Sequence, residues 1–254
     1  MLLEGKRALI FGVANKRSIA WAIAQSLARE GAELAFTFQG ERIESSVREL
    51  AAGVGSHLVF PCDVQREQEI DAVFEGVGRA WDGRLDVLVH SLAFTPHEEL
   101  EHRYVESKRE NWLMTLDISA YSLVALVRRA EPLMREHGGS VITMTYNGSQ
   151  RATPHYNTMG IAKAALESSV RYLAAELGPS NIRVNAISAG PLRTLAARSI
   201  TGFAEMEEVF RQNNPLRRSL EQSEVGDTAA FLASHWSRGT TGTIVYVDAG
   251  WHIL

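Results

Sequence analysis

Tyr156 and Lys163 stand seven positions apart, with six residues between them. On one helix, seven residues make two turns, so both side chains share a face. A phenol there can donate a hydrogen bond to an oxygen that turns negative in a transition state. A nearby ammonium can hold ribose hydroxyls and make the phenol easier to polarise. Alone, the pair reads first as an exposed lysine and a half-buried tyrosine, which any helix can carry. The surroundings reverse that reading. Thr143-Met144-Thr145-Tyr146 delivers a second tyrosine to the same region, and Gly160 and Ala162 keep the helix face slim enough to lie beside a flat ligand.

The elements that must hold these residues follow from hydrophobic period. Short apolar runs at 7–12, 33–38, 57–62, 85–91, 140–145, 182–188 and 243–248 read as strands. Between them, segments with apolar spacing of three and four read as helices over 18–30, 41–53, 66–80, 107–136, 156–178 and 223–236. Pro61, near the end of the third strand, marks an edge or a strand terminus. Strands alternating with helices predict a seven-stranded parallel sheet covered on both faces, a doubly wound Rossmann-type α/β fold. No linker, low-complexity run or fixed-period repeat interrupts the chain, so residues 1–254 read as one dinucleotide-binding and catalytic domain. Residues 190–214 read as a mobile insertion with some helix. Phe203, Met206, Val209 and Phe210 give it an apolar face, so 192–214 is expected to cover a substrate; a surface helix packed on the core is the alternative.

Ligands of such sheets bind beyond the carboxyl ends of the strands. The first strand ends at Gly12, and the next helix begins near Ser18. A glycine there permits close backbone approach, and the helix N-terminus suits a pyrophosphate. Ser18 can cap that helix or donate to phosphate. The turn lacks the second and third glycines of G-x-G-x-x-G, so by itself it is equally an ordinary loop. Gln39 closes the second strand, where an adenosine ribose would sit. Asp63-Val64 closes the third, where a carboxylate and a backbone N–H can bracket adenine, and Ser91-Leu92-Ala93 closes the fourth. Together these strand ends favour a bound dinucleotide, with the Gly190-Pro191 turn running under its nicotinamide.

Composition narrows the partners. A formal net charge of −4 gives no electrostatic footprint for nucleic acid. No stretch reaches about 18 uncharged apolar residues, so no transmembrane helix is expected. The N-terminus does not read as a signal peptide. The one cysteine, Cys62, allows no intramolecular disulfide and reads as a buried small hydrophobe. The cytoplasm is the expected location.

The motifs resemble one known family. Gly12-Val13-Ala14 with Ser18-Ile19-Ala20, Cys62-Asp63-Val64, Val89-His90-Ser91, Asp117-Ile118-Ser119, Tyr156-Asn157 with Ala162-Lys163, and Arg183 through Pro191 with Arg193-Thr194-Leu195-Ala196 are similar to the enoyl-acyl-carrier-protein reductases of bacterial fatty-acid synthesis. These are a divergent branch of the short-chain dehydrogenases. Ordinary members place three residues between tyrosine and lysine and carry a serine near the position of Tyr146. The resemblance implies reduction of a trans-2-enoyl thioester on acyl carrier protein, as the last reductive step of elongation, by a homotetramer.

It also implies roles. Lys163 holds the nicotinamide ribose, Tyr156 hydrogen-bonds the thioester carbonyl, and Tyr146 supports the pocket. Gly12, Ser18 and Ile19 line the pyrophosphate, Gln39 the ribose, and Asp63 with Val64 the adenine. Ser91 and Leu92, with Leu192, Arg193, Thr194, Leu195 and Ala196, flank the nicotinamide end, and Thr95 meets the acyl substrate. Gln39 is neutral and no basic side chain adjoins it, which favours NADH over NADPH, although Arg42 is close in sequence. No metal site is expected. The competing readings are a ketone or alcohol oxidoreductase of the ordinary short-chain type and a catalytically silent nucleotide-binding regulator.

Overall fold

The structure is a computed structural model that describes residues 1–194 and 202–254. Among these, seven strands form one parallel sheet: β1 (Arg7–Phe11), β2 (Glu33–Phe38), β3 (Leu58–Pro61), β4 (Val87–His90), β5 (Gly139–Thr145), β6 (Ile182–Ala189) and β7 (Ile244–Val247). Their spatial order is β3-β2-β1-β4-β5-β6-β7. Pro61 ends an edge strand, as its missing N–H demands.

The central strands are apolar on both faces because both are covered. Ala8 and Ile10 of β1 pack with α1 (Ile19–Arg29), α2 (Glu41–Gly53) and α8 (Gln222–Ala233). Leu9 and Phe11 point the other way, toward α3 (Glu67–Ala80), α5 (Ser122–Met134) and α6 (Asn157–Leu177). Burying each such side chain stabilises by roughly 1.5–3 kcal/mol, against about 0–1 for an exposed ion pair, so the two apolar layers decide the fold.

The stretch expected as one helix over 107–136 is divided. It runs as α4 (Arg109–Leu116), a π-helical turn (Asp117–Tyr121) and α5. The widened turn is anchored by a tertiary contact. Ser119 Oγ accepts from the Phe94 N–H at 2.9 Å and donates to the Phe94 carbonyl at 3.0 Å, stapling the loop after β4. Ser122 Oγ donates back to the Ile118 carbonyl at 2.6 Å. The segment after β6 contains α7 (Phe203–Asn213).

The chain leaves β1 toward β2 and β3, then returns to place β4 on the other side of β1. The crevice between the carboxyl ends of β1 and β4 is therefore the topological switch point. Gly12 sits there at φ +103°, and a Cβ on it would lie 2.1 Å from the Ser91 carbonyl oxygen. Only glycine permits this approach.

Candidate active site

A cavity of about 740 Å³ opens along the carboxyl edge of the sheet. Gly12, Ser18, Ile19, Gln39, Asp63, Val64, Ser91, Leu92, Thr95, Tyr146, Tyr156, Lys163, Leu192 and Thr194 all line it. Arg193 does not: its exposed side chain pairs with Glu207 at 2.8 Å. Leu195 and Ala196 lie outside the described residues.

Tyr156 is the residue immediately before α6, and Lys163 lies two turns in. Lys163 is buried, and its Nζ donates to the carbonyls of Met144 at 2.9 Å and Leu92 at 3.4 Å. Burial pulls its pKa down to about 8, while the charge of Glu167 works in the opposite direction. Burial pushes the Tyr156 hydroxyl far up, reinforced by Tyr146 and Glu167, and burial raises Tyr146 as well. Both phenols therefore keep their protons at neutral pH and act as donors. Their rings meet edge to face, with centroids 5.1 Å apart.

Two glycines create this contact. A Cβ on Gly148 would lie 2.5 Å from the Tyr156 ring, and one on Gly160 would lie 2.7 Å from the Gly148 carbonyl oxygen. Gly160 therefore admits the turn after Tyr146 rather than a flat ligand, which corrects the expectation from sequence. Ala162 is fully buried in the core.

The first turn also differs in detail. Ser18 precedes α1, but its hydroxyl caps no helix amide. It accepts instead from the N–H groups of Ala14 at 3.0 Å and Asn15 at 3.1 Å, shaping the loop. The Trp21 N–H bonds the Ser18 carbonyl at 3.0 Å, which leaves the Ile19 and Ala20 amides of the first turn available to an anion. At the third strand end, the Asp63 N–H is taken by Glu69 at 2.7 Å, and its Oδ1 accepts from the Gln65 N–H at 3.0 Å. The Asp63 amide is thus committed within the protein. Cys62 is buried, and burial, then Glu69 and Asp63, push its thiol up to about 12. It behaves as the small hydrophobe expected.

At the acyl side, Thr115 Oγ1 donates to the Asn111 carbonyl at 2.8 Å, so Thr95 is the donor in the 2.9 Å bond between the two threonines. Phe203 and Met206 of α7 line the cavity, and the Tyr146 hydroxyl lies 3.8 Å from Met206 Sδ. Phe210 is buried against Trp251, whereas Val209 is half exposed. The expected apolar face is thus split between cavity, core and surface.

Around the site, the buried residues His90, Glu99 and Glu167 escaped the sequence reading of chemistry. His90 bonds Thr143 at 2.7 Å and Ser122 at 2.8 Å; burial, then the Lys163 charge, take it down to about 3, so it is neutral. Because Ser122 donates to Ile118, Nε2 of His90 carries the hydrogen. Glu99 accepts from Asn111 and Thr158 and ties the loop 97–108 to the start of α6. Glu167, four residues after Lys163, was legible as a carboxylate on the lysine's own helix face.

A switch-point crevice, a glycine cradle at a helix N-terminus and a buried tyrosine–lysine pair define a Rossmann-type α/β protein built around a dinucleotide-sized cleft. Residues 12–252 match the family model described as Enoyl-(Acyl carrier protein) reductase. The chain belongs to that family. It is 51% identical over 253 residues to the NADH enoyl-[acyl-carrier-protein] reductase FabI of Aquifex aeolicus, covering all of this chain and 93% of the relative. It is 49% identical to FabI of Bacillus subtilis, covering 99% and 97%. The solved Aquifex aeolicus enzyme superposes with a TM-score of 0.97 at 50% identity, over 100% of this chain and 99% of that one. A Bacillus cereus enoyl-acyl carrier protein reductase, solved with NADP+ and indole naphthyridinone, gives 0.97 at 47%, over 100% and 98%.

Proposed function

We propose that the chain reduces trans-2-enoyl-acyl carrier protein to the saturated acyl carrier protein with NADH, the reductive step that completes a round of fatty-acid elongation. The observation that carries this reading is the Tyr146, Tyr156 and Lys163 arrangement lining a cleft that also holds the glycine cradle, beside the Ile19 and Ala20 amides a pyrophosphate needs. NADH supplies a hydride to the β carbon of the enoyl thioester. The Tyr156 hydroxyl donates to the thioester carbonyl, where negative charge develops as the enolate forms; the enolate then takes a solvent-derived proton at the α carbon, which completes the saturated thioester. Tyr146 braces the Tyr156 ring and shapes the pocket, and Lys163 holds the nicotinamide ribose.

Gly12, Ser18 and Ile19 receive the pyrophosphate, Gln39 the adenosine ribose, and the Asp63 carboxylate with the Val64 N–H the adenine. Ser91, Leu92, Leu192 and Thr194 flank the nicotinamide, and Thr95 meets the acyl chain. Arg193, Leu195 and Ala196 belong to the segment 192–214 that covers the substrate, within a single domain spanning 1–254. The neutral Gln39 supports NADH, as do the names of the curated relatives. A homotetramer is read from the resemblance to the family. No helix among the described residues is long and apolar enough to cross a membrane, and with the single buried thiol this supports a cytoplasmic location.

The test uses NADH deuterated at its transferable position. The saturated thioester should carry the label at its β carbon. Label found instead on a hydroxyl-bearing carbon, after turnover of a 3-ketoacyl thioester, would favour the ordinary short-chain chemistry.

A further inference from the structure

We propose that Glu167 is a positioning residue for this site: it grips the chain on both sides of Tyr146 and supplies the counter-charge that faces the buried Lys163 ammonium. The proposal rests on the reduction described above, in which Lys163 holds the nicotinamide ribose.

Glu167 is buried on α6. Its Oε1 accepts from Thr145 Oγ1 at 2.7 Å and from Ser149 Oγ at 2.5 Å. Thr145 is the last residue of β5, directly before Tyr146, and Ser149 ends the short turn that follows it. One oxygen thus fixes the backbone entering and leaving the tyrosine. Both donors are neutral hydroxyls, so these bonds leave the carboxylate charge uncompensated.

The compensating group is Lys163, one helical turn earlier on the same face. Its Nζ bonds carbonyls, including that of Met144, the neighbour of Thr145. A buried ammonium held by dipoles alone would shed its proton readily. Glu167 resists that loss. The other ionisable groups around Lys163 do not replace it. His90 on β4 is neutral, and Tyr146 just after β5 and Tyr156 just before α6 are held protonated. Arg183, the ionisable residue of β6, is bonded to Leu232, Ser234 and Ser237; Asp117 of the π turn accepts from Gln65, and Glu167 is the carboxylate whose charge acts on Lys163.

The experiment is the pH dependence of NADH affinity, read by fluorescence titration of the purified full chain. The parent should lose affinity as the pH rises through about 8. Glu167→Gln should move that loss roughly one pH unit lower. Ser149→Ala, which removes one grip but keeps the charge, should leave it where the parent has it, and so should Glu167→Asp. A purely structural carboxylate would weaken binding at every pH without moving the midpoint, and that result would overturn the proposal.

Should Glu167→Gln fail to fold, the triple replacement Thr145→Val, Ser149→Ala and Glu167→Met removes the donors together with their acceptor and leaves no orphaned polar group. The same downward displacement is expected for it, and an unmoved midpoint contradicts the assignment. A parent protein that binds no NADH at any pH sinks the functional reading itself and is recognisable as such.

Discussion

At the amino end of the sheet, Asp86 is buried just before β4 and takes Lys6 and Arg84, each at 2.8 Å. At the carboxyl end, Lys163 is just as buried but bonds carbonyls, with its counter-charge a helical turn away. Burial alone would raise Asp86; the hydrogen bonds from Arg84 and Lys6 outweigh it and hold the carboxyl below its ordinary value. Burial instead dominates at Lys163 and brings it within reach of neutral pH. The same residue types thus serve two ends. Direct pairing locks a charge into the fold, whereas indirect compensation leaves one that responds to its surroundings, as a site that receives a charged cofactor requires.

Substitutions test that division, beginning with the largest effect. Tyr156→Phe removes the donor to the developing oxyanion and should lower kcat/KM for enoyl thioester by roughly 10²–10³-fold, with NADH affinity nearly unchanged. Steady-state kinetics with a separate NADH titration checks both halves.

Asp86→Asn should do the reverse. It should cost about 2 kcal/mol, less than a fully buried pair because Lys6 and Arg84 are each more than a third exposed. Thermal melts should fall by roughly 4–8 °C while kcat of the folded enzyme holds. Its pH signature has a definite sign. A carboxyl whose folded pKa is depressed lends stability above its unfolded value, near 3.8, and loses it as the pH falls through the folded value. The difference between parent and Asp86→Asn should therefore shrink below about pH 4 in acid melts. A loss of activity without a loss of stability would break the comparison.

The cofactor end should show a smaller preference. NADH should exceed NADPH about tenfold in kcat/KM, about 1.4 kcal/mol, because Gln39 offers no positive charge to a 2′-phosphate. The nearest basic candidates are otherwise placed: Arg42 is exposed and not part of the cavity wall, and Arg48 stacks over Phe38 at 5.7 Å while bonding Glu44. The smallest effect is expected at Arg193. Its exposed pair with Glu207 should be worth about 0.5 kcal/mol, and Arg193→Ala should leave kcat/KM within about twofold.

The strand and helix order was legible because a buried parallel sheet writes itself as short apolar runs between helix-period segments. The cavity wall was legible for the same reason, since strand ends are where such folds bind ligands. What escaped depends on tertiary hydrogen bonds with no sequence period. The π turn at Asp117–Tyr121 exists because Ser119 staples Phe94, 25 residues away. His90 is a polar residue inside an apolar strand and Glu99 is one carboxylate in the charged run 97–103, and only their folded partners single them out. Ser18 looked like a cap and shapes the loop instead, because its hydroxyl reaches Ala14 and Asn15 first. Gly160 shows that a correctly identified slim face can serve a neighbouring turn rather than a ligand.

The most direct test of the central claim is the decay of NADH absorbance when the purified protein meets trans-2-enoyl thioesters on acyl carrier protein, across short and long acyl chains. Stoichiometric NADH loss with formation of the saturated thioester, abolished or nearly so by Tyr156→Phe, is the expected result. No NADH loss at any chain length would contradict it.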